Sequence, residues 1–294
     1  MSLASALETL ATYRASNTRA SQDVLEKGSL ILKSGAASNL GDDSWAFLEQ
    51  LALAALDVGQ IDIADQCLQK LTEKFPGSPR VEILRGIRME ATEAPQTVLH
   101  YYNELLDANS ANAAAWKRRI SVTRRMGRVE KTIDDLSQFL DTFYTDLEGW
   151  LELADIYSSC NQYTSALQAL SHALLLAPQN PFTALQFAET AYSAGDLPLA
   201  LKTFLIVVDM GEKDLPSVQD LPPTGLSVRA WYGVKLCARQ IIAHPSTTSS
   251  ASNTAVPKSI RQIDEVATER LLVHYSGRGN DRSEKRVLQS WLAG

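Results

Sequence analysis

The sequence predicts an all-α fold: a right-handed solenoid of antiparallel helix pairs. Three observations carry that prediction. Large and small apolar residues recur every 34 residues from about 45 to 210. Glycines and prolines fall between the periodic stretches, and no segment shows the alternation of a half-buried strand.

The period is clearest around Trp116 and Trp150, which lie 34 residues apart. Trp150 opens a run containing Leu153, Ala154 and Tyr157, followed by Ala166, Leu170, Ala173 and Pro178. Those positions match the large, small, large and terminating residues of a tetratricopeptide repeat. Ala154 and Ala166 let two helix backbones approach, and Pro178 ends the unit because it cannot continue a helix. One period forward lie Ala184, Phe187, Ala188, Ala200 and Phe204; one back lie Trp116, Ile120, Leu136 and Phe139. Two back lie Gly86, Met89, Val98, Tyr102 and Leu105; three back lie Leu48, Leu51, Ala52, Ala55, Ala64, Leu68 and Leu71. Five helix pairs therefore share one register over 45–210. The third pair, 113–144, fits worst, with Arg119 and Thr123 at positions that usually pack. It is expected to be distorted or adapted to a partner.

Gly59, Gly127 and Gly195 are placed at the turn inside a pair, where glycine takes the left-handed cap conformation. Pro79 and Pro181 are placed in the first turn of a following helix. Residues 1–44 read as capping helices, at 3–14 and 21–34, with Ser21 as an N-cap. Residues 211–226 read as a proline-rich inserted loop. Helices at 227–243 and 257–275 are expected to close the solenoid, with a mobile serine-rich segment at 245–256 and a tail at 276–294.

Composition narrows the function. The chain has 294 residues, a formal charge of −6, and 21% charged residues. That is an ordinary globular balance, without the strong basicity of a nucleic-acid binder. Three scattered cysteines form no disulfide framework or Cys-x-x-Cys motif, which fits a reducing compartment. No apolar run approaches the roughly 20 residues of a membrane span, and no secretory signal is visible. There is no phosphate-cradling glycine loop and no His-Glu-x-x-His, and the four histidines are dispersed. No cofactor or metal is expected, and the chain reads as non-catalytic. An enzyme would need a polar cluster within 227–294.

The binding surface is read from two features. From Lys117 to Lys131 there are seven basic residues against one acid, a local charge of +6. Within it, Lys117, Ser121, Arg124 and Arg125 are predicted to face the groove of the solenoid. This is either a solvated basic face or a patch for an acidic protein segment or anionic headgroups. Stacking aromatics are not interleaved there, so nucleic acid ranks last. The first two pairs present Leu53, Leu56, Ile83 and Ile87 to the groove, an apolar surface for a partner unless residues 3–34 fold back over it. The candidate contacts are Lys117, Arg124, Arg125, Leu53, Leu56, Ile83 and Ile87. A cytosolic co-chaperone or transport adaptor of the same fold is the alternative, but the groove asparagines of a co-chaperone clamp are replaced by Leu53, Ile87, Ser121, Asp155 and Glu189.

Beyond the generic repeat, the chain carries Leu40-Gly41-Asp42-Asp43-Ser44-Trp45, Ala54-Ala55-Leu56-Asp57-Val58-Gly59, and Cys67-Leu68-Gln69 leading into Phe75-Pro76-Gly77-Ser78 and Arg80-Val81. It continues with Gly86, Arg88, Glu90 and Ala91, and with Glu148, Trp150, Glu152-Leu153-Ala154 and Tyr157. In these motifs it resembles subunit 2 of the endoplasmic reticulum membrane protein complex, over about 15–243. It departs from that family at the insert 213–224, the serine-rich segment and the tail after 276. The resemblance implies a cytosolic, non-catalytic subunit, peripheral on the cytosolic face of that membrane. It also implies partners: cytosolic segments of the membrane subunits and a second soluble subunit. The complex it implies inserts tail-anchored and multipass proteins.

Overall fold

A computed structural model describes residues 3–35, 41, 43–212, 221–245, 250–276 and 282–293. Among these residues there are fifteen α-helices and no strand. Leu40 and Asp42 of the first motif, residues 213–220 of the insert, 246–249 of the serine-rich segment, and 277–281 and 294 of the tail lie outside the described residues. The chain divides into two compact units, 1–135 and 136–294.

The first unit begins with α1 (Leu3–Ala15) and α2 (Ser21–Lys33), followed by α3 (Asp43–Val58), α4 (Ile61–Lys74), α5 (Pro79–Thr92), α6 (Pro95–Ala108) and α7 (Ala113–Arg125). Each helix packs on its sequence neighbours, and α3, α5 and α7 also touch in succession. Helix hairpins stacked in chain order are the arrangement the 34-residue period demands. The core holds Leu10, Ile31, Phe47, Leu51, Val81 and Leu84, all buried. Each such side chain contributes roughly 1.5–3 kcal/mol by leaving water. Pro79 and Pro95 occupy first-turn positions, where the missing N–H removes no helical bond. Gly86 is buried for a steric reason. A Cβ there would sit 2.4 Å from the Tyr102 hydroxyl, so its absence lets α5 and α6 close.

Ser21 is not an N-cap. It is the first residue of α2, Ala20 precedes it at the cap, and its hydroxyl donates to Asp57 Oδ2. The caps made by side chains come later. Asn112 accepts from Ala115 N at 3.1 Å, Asp146 from Gly149 N at 2.7 Å and Asn180 from Phe182 N at 3.0 Å.

Helix α8 (Val129–Thr142) runs from the first unit into the second. The turn before it is closed by Gly127 at φ 70°, a left-handed conformation that strains any residue with a Cβ. The third pair is built from regular helices, and the misfit residues are absorbed by a polar core. Arg119 lies with its guanidinium 4.1 Å from the centre of the Trp116 ring and pairs with Asp135 Oδ1 at 3.1 Å. The Asp135 side chain is 2% exposed and also receives Lys131 Nζ at 2.9 Å. Thr123 returns its hydroxyl to the Arg119 carbonyl at 3.0 Å. Losing one member of such a buried pair costs about 3–5 kcal/mol, because the other charge stays buried.

The second unit continues with α9 (Leu147–Ser159), α10 (Tyr163–Leu176), α11 (Pro181–Ser193), α12 (Leu197–Glu212), α13 (Leu226–Ala243), α14 (Ile260–Ser276) and α15 (Arg282–Ala293). Neighbours again pack in chain order. Ala154 and Ala166 are fully buried, as close approach of their helices requires. Phe204, Val207, Trp231, Val234, Cys237 and Leu271 form the core at the C-terminal end. A buried ion pair, Arg270 Nη2 to Glu212 Oε1 at 3.4 Å, ties α14 to α12. Glu212 Oε1 also accepts from the Trp231 indole at 3.0 Å, and Arg270 reaches the Leu221 carbonyl at 2.9 Å. Ser250 and Ala251, in the stretch expected to be mobile, both donate to Asp196 Oδ2, at 2.8 and 3.0 Å.

Candidate partner-binding cavity

A cavity of about 720 Å³ opens in the first unit. Its walls follow from helical spacing. On α3, residues 46, 49, 50, 53, 56 and 57 recur at three- and four-residue steps and share one face. Arg80, Ile87, Glu90 and Ala91 do the same on α5, and Arg118 and Arg125, seven apart, on α7. The end of α1, the α1–α2 turn and the start of α2 close one side with Tyr13, Arg14, residues 17–21 and Val24. Residues 3–34 therefore border the apolar surface of α3 and α5 without sealing it. Leu53, Leu56 and Ile87 remain half-exposed.

The electrostatics are arginine-rich. Five arginines (14, 19, 80, 118 and 125) line the cavity against three carboxylates (Glu49, Asp57 and Glu90). Arg19 grips Asp57 with two hydrogen bonds, and Arg80 Nε donates to Glu49 Oε1 at 2.8 Å. The hydrogen bond from Arg19 holds the Asp57 carboxyl below the usual carboxylate range, and Ser21 lowers it further. Glu90 is the most heavily used acceptor. Arg118 meets it in a two-point fork at 2.8 and 2.7 Å, and the Tyr102 hydroxyl donates to it at 2.7 Å. Arg125 reaches the same carboxylate only at 3.9 Å. Burial and the Glu90 hydrogen bond both push the Tyr102 hydroxyl well above the ordinary phenol range, so it stays a donor. Arg14 donates to a neutral acceptor, Gln50 Oε1, at 2.8 Å.

The predicted contact residues divide. Leu53, Leu56, Ile87 and Arg125 meet at this cavity. Ile83 packs instead against the buried Val98, Tyr102 and Leu106. Lys117 and Arg124 are on α7 but do not line the cavity. Sequence reasoning missed Arg118, Glu90 and Arg14. Arg118 and Arg125 could have been found as a seven-residue pair; Arg14 lies outside the repeat, and no periodicity reaches it.

The C-terminal region holds a second cavity of about 770 Å³, lined by Tyr232, His274, Tyr275, Ser283, Glu284, Trp291 and three aliphatic residues. Its hydrogen-bonded pair is Tyr232 and Tyr275, hydroxyl to hydroxyl at 3.1 Å. Burial first, and Tyr275 second, raise the Tyr232 hydroxyl, so it stays protonated near neutral pH. Among the described residues no group of three or more His, Cys, Asp or Glu side chains is placed to hold a metal. Among the same residues, no helix is long and apolar enough to cross a membrane.

Residues 66–202 match the model of the EMC2 TPR-like repeat domain. The chain is 36% identical over 241 residues to ER membrane protein complex subunit 2-A of Xenopus laevis, covering 81% of this chain and 76% of that protein. It is 31% identical over 229 residues to the TPR repeat protein oca3 of Schizosaccharomyces pombe, covering 76% and 74%. Among solved structures, the C-terminal part of a TPR repeat-containing protein from Cytophaga hutchinsonii superposes with a TM-score of 0.57 at 11% identity. That match covers 94% of this chain and 98% of the other, and it supports the tetratricopeptide fold alone. With its hairpins in repeat order and 36% identity to subunit 2-A over 81% of its length, the chain belongs to the ER membrane protein complex subunit 2 family.

Proposed function

We propose that the chain is a non-catalytic scaffold subunit of the endoplasmic reticulum membrane protein complex, held on the cytosolic face of that membrane by its partner subunits. The observation that carries this reading is the family relationship across 81% of the chain. The stacked hairpins and their open, arginine-rich cavity support binding as the activity, because such surfaces capture extended segments of other chains. In this reading the five pairs of residues 45–210 form the platform, residues 1–44 cap one end, and 227–275 close the other. The platform braces cytosolic segments of membrane subunits and a second soluble subunit. Leu53, Leu56, Ile87 and Arg125 act in the cavity, with Lys117, Arg124 and Ile83 as further contacts. The assembled complex inserts tail-anchored and multipass proteins into the bilayer.

The test is to tag the full chain, solubilise endoplasmic reticulum membranes in detergent, and identify co-purified proteins by mass spectrometry. Membrane-embedded subunits of the complex are expected in stoichiometric yield. Chaperones alone would replace this reading with the co-chaperone one.

A further inference from the structure

We propose that the cavity of the first unit is the seat of an acidic segment of a partner chain, in which carboxylates flank a branched aliphatic side chain. This rests on the scaffold reading and specifies which kind of segment the scaffold holds. The argument begins with charge. Two of the cavity's three carboxylates are each committed to one arginine, Asp57 to Arg19 and Glu49 to Arg80. The third, Glu90, has a side chain only 6% exposed and is already filled by Arg118 and Tyr102. Arg125, 53% exposed, stands 3.9 Å from it and receives only a share of its charge. Arg14 is oriented by an amide oxygen that brings no charge. The cavity therefore carries a surplus of two positive charges, on guanidiniums that α1 and α7 hold at its walls. A guanidinium is built to receive a carboxylate in a two-point fork.

Between them lies apolar surface. Leu53, Leu56 and Ile87 are half-buried against the core and open to the cavity on their other side. A purely ionic ligand would leave this surface wet, and a purely apolar one would leave two guanidiniums unmatched. The volume, about 720 Å³, lies in the ordinary range of ligand pockets, roughly 300–1,000 Å³, and suits a few residues of chain but not a folded domain.

The experiment uses the full chain and short fluorescent peptides read by anisotropy. One peptide carries two leucines bracketed by glutamates; its companions carry glutamine or lysine instead. The glutamate peptide is expected to bind, more weakly as salt rises, and the glutamine peptide at least about 10-fold less tightly. Arg14→Gln and Arg125→Gln should each weaken binding about 10-fold, and Lys202→Gln, exposed on α12 and outside the cavity, should leave it unchanged. Far-UV circular dichroism and a urea midpoint confirm that each variant is folded. Equal affinity for the glutamate and glutamine peptides would overturn the proposal. So would undiminished binding by the two arginine variants, or preference for phosphatidylserine vesicles over the peptide. If peptide binding fails while the tagged chain still co-purifies with the membrane subunits, only the cavity assignment falls. If the peptide binds but co-purification is lost, only the scaffold reading falls.

Discussion

Replacing Gly86 with alanine sets two physical effects against each other, and the structure decides the sign. Gly86 lies within α5, where alanine is favoured over glycine by about 0.8–1.0 kcal/mol of helix propensity. Against this stands Tyr102, fully buried on α6. The new methyl carbon would lie 2.4 Å from its hydroxyl oxygen, 2.5 Å from Cε1 and 2.6 Å from Cζ. Carbon atoms in contact sit about 3.5–4.0 Å apart, so the ring must move by an ångström or more. It has no free space, since Tyr101, Val98 and Leu106 pack around it. Over-packing of this kind costs about 1–3 kcal/mol, and losing the hydroxyl bond to the Glu90 carboxylate adds about 1.5–3 kcal/mol. The net expectation for Gly86→Ala is a loss of about 1.5–5 kcal/mol. Urea unfolding is the assay, read on the first transition because two units need not unfold together. With a slope of about 1–3 kcal/mol per molar urea, the midpoint should fall by about 0.5 M or more. Adding Tyr102→Leu should relieve the clash, so the double variant should lose less than the sum of the two single losses. A midpoint equal to or above the parent's would refute the steric argument and leave helix propensity in command.

Three further outcomes follow from buried groups and ion pairs. Glu212→Ala removes the buried carboxylate that Arg270 and the Trp231 indole share, and should lower stability by about 3–5 kcal/mol in thermal unfolding; an unchanged melting temperature would show the pair to be dispensable. Burial pushes the Cys67 and Cys237 thiols up to about 11 and about 12, while Cys160 is exposed. At pH 8 a maleimide should therefore add once per folded chain, at Cys160, and three times in urea; rapid labelling of Cys67 in the folded chain would contradict the packing of α4. Asp57 has its folded-state pKa depressed by Arg19, so its contribution is present above the unfolded value of about 3.9 and is lost as pH falls through the lower folded value. The stability difference between the parent and Asp57→Asn should thus be full at pH 7 and shrink progressively as pH falls below about 4, whereas a gap as large at pH 2 as at pH 7 would deny the pairing with Arg19.

How far each feature could be read from the sequence depends on how local its cause is. The hairpins of α3 to α12 are written in short-range terms: small residues where backbones approach, glycine at the inner turns, proline at first turns. The third pair was visible as a misfit, because Arg119 and Thr123 stand where apolar residues belong. Its resolution was not, since that depends on Asp135 lying beside Arg119 and on the Trp116 ring beneath the guanidinium. Neither is a repeat feature. The cavity shows the same limit more sharply. An error of one residue on a helix is a rotation of about 100°. Sequence spacing places Lys117, Ser121, Arg124 and Arg125 on the groove face of α7, while the cavity takes Arg118 and Arg125. Arg125 is common to both sets, and it lines the cavity beside Arg118 because seven residues bring a side chain back to nearly the same face. Arg14 could not be reached at all. Its placement depends on α1 docking against α3, through a bond to Gln50 that spans 36 residues and two turns outside the repeat. The same non-local docking gives Ser21 to Asp57 instead of to a helix cap. What makes the cavity a chemical site, a surplus of guanidinium over carboxylate beside half-exposed leucine and isoleucine, arises only when α1, α3, α5 and α7 meet. No window of sequence short enough to show a period could contain it.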